Sequence, residues 1–207
     1  MLKIEKRDIK PIFFEIKNIY GSYSDLREKE KDEIKKILID EQHCRCAYCM
    51  CRIDLESTSI EHYIPQSVDS TVSLDYGNML AVCNITKDKP RKHQTCDAHR
   101  GDAFLHINPL KQNDIDTIRY THSGTIFSVN DNYNRDIDDT LNLNEERLKN
   151  NRKAALQSLV NRSNKSKDKE WSKDKIKRFL AKLYSPDNDT QYAGFLIYML
   201  EKRLKRL

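Results

Sequence analysis

Apolar residues fall along this chain in patches whose spacing changes from one segment to the next. Residues 24–42 contain no glycine or proline, and Ile34, Ile37 and Leu38 share a face at helical spacing. That pattern predicts a helix, with Ser24 as its candidate cap. Ahead of it, PIFFEIKNIY reads as an apolar segment that packs on a core. Residues 52–64 read as extended, because Ile60, His62 and Ile64 alternate with Glu61 and Tyr63 until Pro65 ends the run. SVDSTVSLDYGN is a turn-rich excursion, NMLAVCN a short apolar segment and ITKDKPRKHQ a basic loop. TCDAHRGDAFL opens like a helix, with Thr95 placed to cap it. Residues 118–129 predict a β-hairpin turning at Ser123 and Gly124. From about residue 140 the period is helical in LNLNEERLKNNRKAALQSLV, WSKDKIKRFLAKLY and TQYAGFLIYMLEKRLKRL. The polar linker NRSNKSKDK between the first two is expected to be mobile. No internal repeat is visible.

Composition narrows this picture. Hydrophobic residues make up 38% and charged residues 33% of 207, enough for one compact core with a smaller appended piece. No apolar run approaches the ~18 residues of a membrane span, and MLKIEKRDIK lacks the apolar block of a signal peptide. A cytoplasmic protein without membrane contact is the expectation. The net charge of +5 is unevenly placed: residues 140–207 carry 17 Lys+Arg against 8 Asp+Glu, while residues 1–139 carry 20 against 24. A basic C-terminal third suits a polyanion or an acidic protein face, although a solvated helix surface has the same composition.

The cysteines change the picture most. CRCAYCMC, residues 44–51, holds four of the six. In a reducing compartment such a cluster binds metal more often than it forms disulfides. Structural zinc takes four thiolates or imidazoles, commonly as two pairs from separated segments. Within CRCAYCMC only Cys46 and Cys49 have the Cys-x2-Cys spacing that reaches one ion from a tight turn. Cys83 and Cys96 then complete a four-cysteine site, with Cys44 and Cys51 left over. His43, His93 or His99 remain open as replacements for one cysteine.

IEHYIP (60–65), LDYGNML (74–80) and CDAHRG (96–101) lie between and beside these pairs. An isolated Glu-His pair is more often a surface acid beside a core histidine. Here, however, CAYC, EH-x2-P, DYGN and C-D-x2-R-G follow one another in the order of the HNH nuclease family's Cys-containing branch, which residues 46–101 resemble. The resemblance implies an α+β fold: a ββα-metal core stapled by a zinc ion on four cysteines, joined to an N-terminal helix, a β-hairpin and a helical C-terminal region. In residue ranges this gives a packing segment and helix (1–43), the stapled nuclease core (44–139) and the basic helical region (140–207). It implies His62 as general base, Glu61 and Asp97 as holders of a catalytic Mg²⁺ or Mn²⁺, and Asn78 as the residue ordering the loop around His62. Arg100 stands where the family often has lysine and would contact a phosphate. Lys87, Lys89, Arg91 and Lys92 of the basic loop are further nucleic-acid candidates. Two features depart from the family pattern: Asp97 replaces the more usual Asn or His, and residues 84–95 form a long insertion. Adjacent Glu61 and His62 on a strand face opposite ways, so a strand-end bend or an unequal share in metal contact is expected.

Looser patterns extend the likeness to nearly the whole chain. The opening M-x-K-I-x-K-x4-P, IEHYIP-x-S, LNLN and AGFLIYMLEKRL are similar to the HNH subunit of Septu-type antiphage systems, the PtuB-like proteins, including those tied to retrons. That likeness implies an ABC- or SMC-like ATPase partner and, where a retron is present, a reverse transcriptase with its RNA–DNA hybrid. The substrate it implies is nucleic acid, DNA first and structured RNA such as tRNA second. A non-catalytic zinc-stapled nucleic-acid-binding module or adaptor would use the same cysteines and the same basic tail.

Overall fold

The computed structural model describes residues 1–8, 10–164, 171–185 and 187–207. Pro11 starts α1 (Pro11–Ile19), where its fixed φ and missing N–H suit a first helical turn. The expected packing segment is thus helical, and it buries Phe13 and Ile16. α2 (Glu28–Glu41) begins later than its sequence suggested, behind Arg27. Ser24 lies instead in a short helical turn, Tyr23–Asp25, whose start is closed by Ser22 and Asp25. α2 buries Ile34 and Leu38, leaves Ile37 partly covered, and packs on the following strands.

β1 (Thr58–His62) and β2 (Met79–Cys83) form an antiparallel pair with Thr58 opposite Cys83 and His62 opposite Met79. β2 is buried along its whole length, which explains its unbroken apolar run. α3 (Asp97–Arg100) is a single turn starting at Cys96, whose φ of 59° no side-chain cap supports. Thr95 does not cap it; its amide and hydroxyl pair with the Thr86 hydroxyl at 3.0 and 3.3 Å, tying the ends of the basic loop together.

α4 (Gln112–Ile115) leads into the expected hairpin of β3 (Ile118–Tyr120) and β4 (Ile126–Ser128). Gly124 in its turn has φ 84°, and a Cβ there would lie 2.4 Å from the Lys149 carbonyl oxygen. α5 (Asp131–Arg135) and a wide helical turn, Asp136–Thr140, precede α6 (Glu146–Asn164). Residues 165–169 of the expected linker lie outside the described residues. α7 (Lys173–Leu183) buries Ile176, Leu180 and Leu183 as its stripe predicted, with Phe179 partly covered, and packs along α8 (Ala193–Leu204). α8 lies against β3. Its Gly194 sits so close to the chain start that a Cβ would meet the Met1 carbonyl oxygen at 2.6 Å.

The architecture is therefore mixed α and β, with two small two-stranded sheets among the described residues. Among the described residues no helix is long and apolar enough to cross a membrane.

Candidate metal centre and active site

The 44–51 segment folds back on itself: the Cys46 amide donates to the Cys51 carbonyl and the Met50 amide to the Cys46 carbonyl, at 2.9 and 3.1 Å. The Ala47 amide binds the Ala81 carbonyl at 3.0 Å, fixing this turn on β2. The result brings Cys46 and Cys49 against Cys83 at the end of β2 and Cys96 at the start of α3. All four are buried, and their sulfurs lie within 4.8 Å of one another. Cys46–Cys96, Cys49–Cys83 and Cys83–Cys96 are each 3.7 Å apart. A tetrahedral ion with Zn–S bonds near ~2.3 Å places its ligands about 3.8 Å apart along each edge. The four sulfurs therefore fit a metal ion such as zinc.

Burial would raise the Cys46 thiol, but hydrogen bonds from Cys49, Cys51, Cys83 and Cys96 pull it well below the usual range, toward the thiolate a metal binds. Hydrogen bonding to Cys46 and Cys49 pushes Cys51 the other way, and Cys83 and Cys96 with it, so the sulfurs share their protons as one cluster when no ion is bound. None of the three candidate histidines belongs to it. His99 Nδ1 lies 3.0 Å from the Thr140 carbonyl, His93 faces Glu145 at 3.3 Å, and His43 sits in the turn after α2.

The acidic site lies at the end of β1. Glu61 and His62 point to different neighbours, as alternation requires, yet both are buried. Tyr48 Oη donates to Glu61 Oε1 at 2.9 Å, and the Arg100 guanidinium holds the same oxygen. Burial, and then the nearby Asp97 carboxylate, push the Glu61 carboxyl up to about 8 against the pull of Arg100. Glu61 and Asp97 thus crowd two acids together from β1 and α3, a donor pair suited to a hard divalent cation.

His62 is oriented by two bonds of opposite sense. Its Nε2–H donates to the Ser73 carbonyl at 2.8 Å, because a carbonyl oxygen only accepts. Nδ1 accepts from the Gln66 amide at 3.3 Å and carries the lone pair. The Tyr23 ring stands edge-on at 4.7 Å. Burial lowers the imidazole's pKa below its ordinary value, partly offset by the Ser73 carbonyl and Asp97, so His62 is neutral at pH 7. Asn78 works on the same loop: its Oδ1 accepts from the Ile64 amide at 2.7 Å, and its Nδ2 donates to the Ile64 and Val72 carbonyls at 3.1 and 3.3 Å.

Arg100 is placed differently from its sequence expectation. It is 3% exposed and turned inward. Besides Glu61, it donates to the carbonyls of Ala103, His62 and Tyr63 at 2.8, 3.1 and 2.7 Å. A buried guanidinium beside a carboxylate gains more from these acceptors than from water, so it braces β1. Lys87, Lys89, Arg91 and Lys92 are all exposed. Their loop is held by Gln94, which donates to the Lys87 and Lys89 carbonyls at 3.0 Å each, and by Asn142, which donates to the Lys92 carbonyl at 3.1 Å. Tyr48, Gln66 and Ser73 were not foreseen. Tyr48 lies inside CAYC and Gln66 directly after Pro65, and only the fold gives either a role.

The chain is thus a mixed α and β protein with a buried four-cysteine cluster that could bind a metal such as zinc, and with His62, Glu61 and Asp97 gathered at the end of β1. No protein-family model matches the chain. The Septu protein PtuB of Bacillus thuringiensis is similar to it, 30% identical over 67 residues, which cover 31% of this chain. The match spans about a quarter (26%) of that relative's length.

Proposed function

We propose that this protein is a metal-dependent endonuclease of the HNH kind, the effector of a Septu-like antiphage defence complex with an ATPase partner. The observation that carries it is His62, buried with one nitrogen fixed as donor and the other as acceptor, next to the Glu61–Asp97 acid pair. The β1–β2–α3 order around a four-sulfur staple supports the same reading. The likeness to a Septu protein supports the defence setting and the ATPase.

In this reading Glu61 and Asp97 hold a divalent cation such as Mg²⁺ or Mn²⁺. When bound it supplies positive charge to the phosphate and to the departing oxygen. His62 Nδ1 takes a proton from a water molecule whose oxygen attacks phosphorus, one P–O ester bond breaks, and the leaving oxygen takes a proton from solvent. Gln66 yields Nδ1 to that water. Ser73 and Asn78 keep the ring and its loop in register, and Arg100 keeps Glu61 in place. The exposed Lys87, Lys89, Arg91 and Lys92 meet the sugar-phosphate backbone.

The test is incubation of the purified protein, with and without its ATPase, with DNA and RNA pools under Mg²⁺ or Mn²⁺. DNA cleavage that disappears in His62→Ala is the expected result. Cleavage confined to structured RNA such as tRNA moves the substrate to RNA, and binding without cleavage under either metal leaves only a nucleic-acid-binding module.

A further inference from the structure

A cavity of about 630 Å³ opens beside the end of β1. Tyr63, Ile64 and Asn78 form the wall nearest the candidate site. Tyr63 and Ile64 directly follow His62 in the chain, and both of their amides are held by Asn78, at 2.9 and 2.7 Å, so this wall belongs to the loop that carries the candidate base.

Its surfaces suit a flat ring with a polar edge. Phe13 and Tyr76 contribute two buried rings whose centroids are 4.5 Å apart. The Tyr76 hydroxyl is anchored on Glu41, so this aromatic floor is fixed. At the mouth, Phe14 is 58% and Ile64 39% exposed, two apolar side chains left in water. Asn108 Oδ1 is occupied by the Leu110 amide at 2.8 Å, while its amide nitrogen has no partner among the described residues and is a donor for a ligand edge. Two cations line the cavity, Lys17 paired with Asp75 and Lys111, which has no ion-pair partner among the described residues. Apolar faces, a lone amide donor and flanking cations are what one nucleotide of a strand requires.

We propose that this cavity takes a single unstacked base of the nucleic-acid substrate next to the scissile phosphate, with Phe14 stacking on it and Lys111 on a neighbouring phosphate. The proposal rests on the nuclease reading above. It gives the site a local preference for strands whose bases splay out easily: single-stranded regions, loops and mismatches.

The experiment is cleavage kinetics on a defined oligonucleotide that the full-length protein cuts, with an abasic residue moved along the positions flanking the cut. One abasic position should raise KM about tenfold, with kcat changed less. Phe14→Ala should raise KM on the intact strand by a similar factor and lose nothing more at that position. Gly77→Phe should behave alike. A Cβ at Gly77, which lines the cavity, meets nothing within 4 Å, so the first carbon of the new side chain has room there. Thermal melts and zinc content identical to wild type check this. A flat abasic scan, or abasic and Phe14→Ala losses that simply multiply, would overturn the cavity's role while leaving the nuclease standing. A protein that cuts no DNA or RNA overturns both.

Discussion

At His62 the useful information lies in its partners. Because the Ser73 carbonyl can only accept and the Gln66 amide nitrogen can only donate, the imidazole has one tautomer, with its basic nitrogen on the outer side. His62→Ala should therefore lower cleavage at least about a hundredfold, with zinc content and thermal stability near wild type. Undiminished cleavage in the purified variant would end the assignment. Arg100 makes the complementary case. Its pair with Glu61 is almost fully buried, so Arg100→Ala leaves two crowded acids without their cation and should destabilise the protein by about 3 kcal/mol in urea titrations. A loss of activity at unchanged stability would instead point to a phosphate contact. Glu61, His62 and Asp97 could be named from the order of short motifs along the chain, and the structure brings Asp97 to Glu61. The inward turn of Arg100 was not, since a basic residue before glycine reads the same whether it faces protein or solvent.

Among the elements, the cysteine turn was the most legible, because Cys-x2-Cys spacing and the remaining cysteines determine the partners by elimination. Cys46→Ser or Cys96→Ser should lose the metal and unfold the core, whereas Cys44→Ser combined with Cys51→Ser should keep one metal ion per chain by elemental analysis. Equal metal loss in the double variant would put Cys51 among the ligands. The hairpin was also foreseen, through its Ser-Gly turn. What could not be foreseen is why the glycine matters: the Lys149 carbonyl of a distant helix presses on it, so Gly124→Ala should cost about 2 kcal/mol in the same titration. The helix starts were least legible. Ser24 and Thr95 are good caps by residue type, but competing partners decide: Thr95 pairs with Thr86, and a neighbouring Ser-Asp turn holds Ser24 out of α2.

Across the whole molecule, the basic C-terminal third is less uniform than its composition suggests. Arg152 is buried, donating to the Gly124 and Leu143 carbonyls at 2.8 and 2.9 Å, and Lys175 is buried as well. Lys173, Lys177, Arg178 and Lys182 remain exposed on α7, whose apolar stripe faces inward. Replacing these four by glutamate should break co-purification with the proposed ATPase partner while nucleic-acid binding by the free protein persists. Weakened nucleic-acid binding with a flatter salt dependence would assign the face to phosphate instead. Which helix covers which strand was not readable in the sequence, because amphipathic faces state that they need cover and not what covers them.

The same packing ties the early and late parts of the chain together. The Cys96 amide is held by the Leu141 carbonyl, and the Met50 carbonyl, inside the cysteine turn, accepts from the Tyr192 amide at 2.7 Å. A ribosome delivers Met50 long before Tyr192; at roughly 5–20 residues per second the interval is on the order of 10 s. Through that interval the turn around Met50 lacks the bond that α8 brings. A nascent chain carrying these cysteines thus stays short of its finished geometry until α8 emerges.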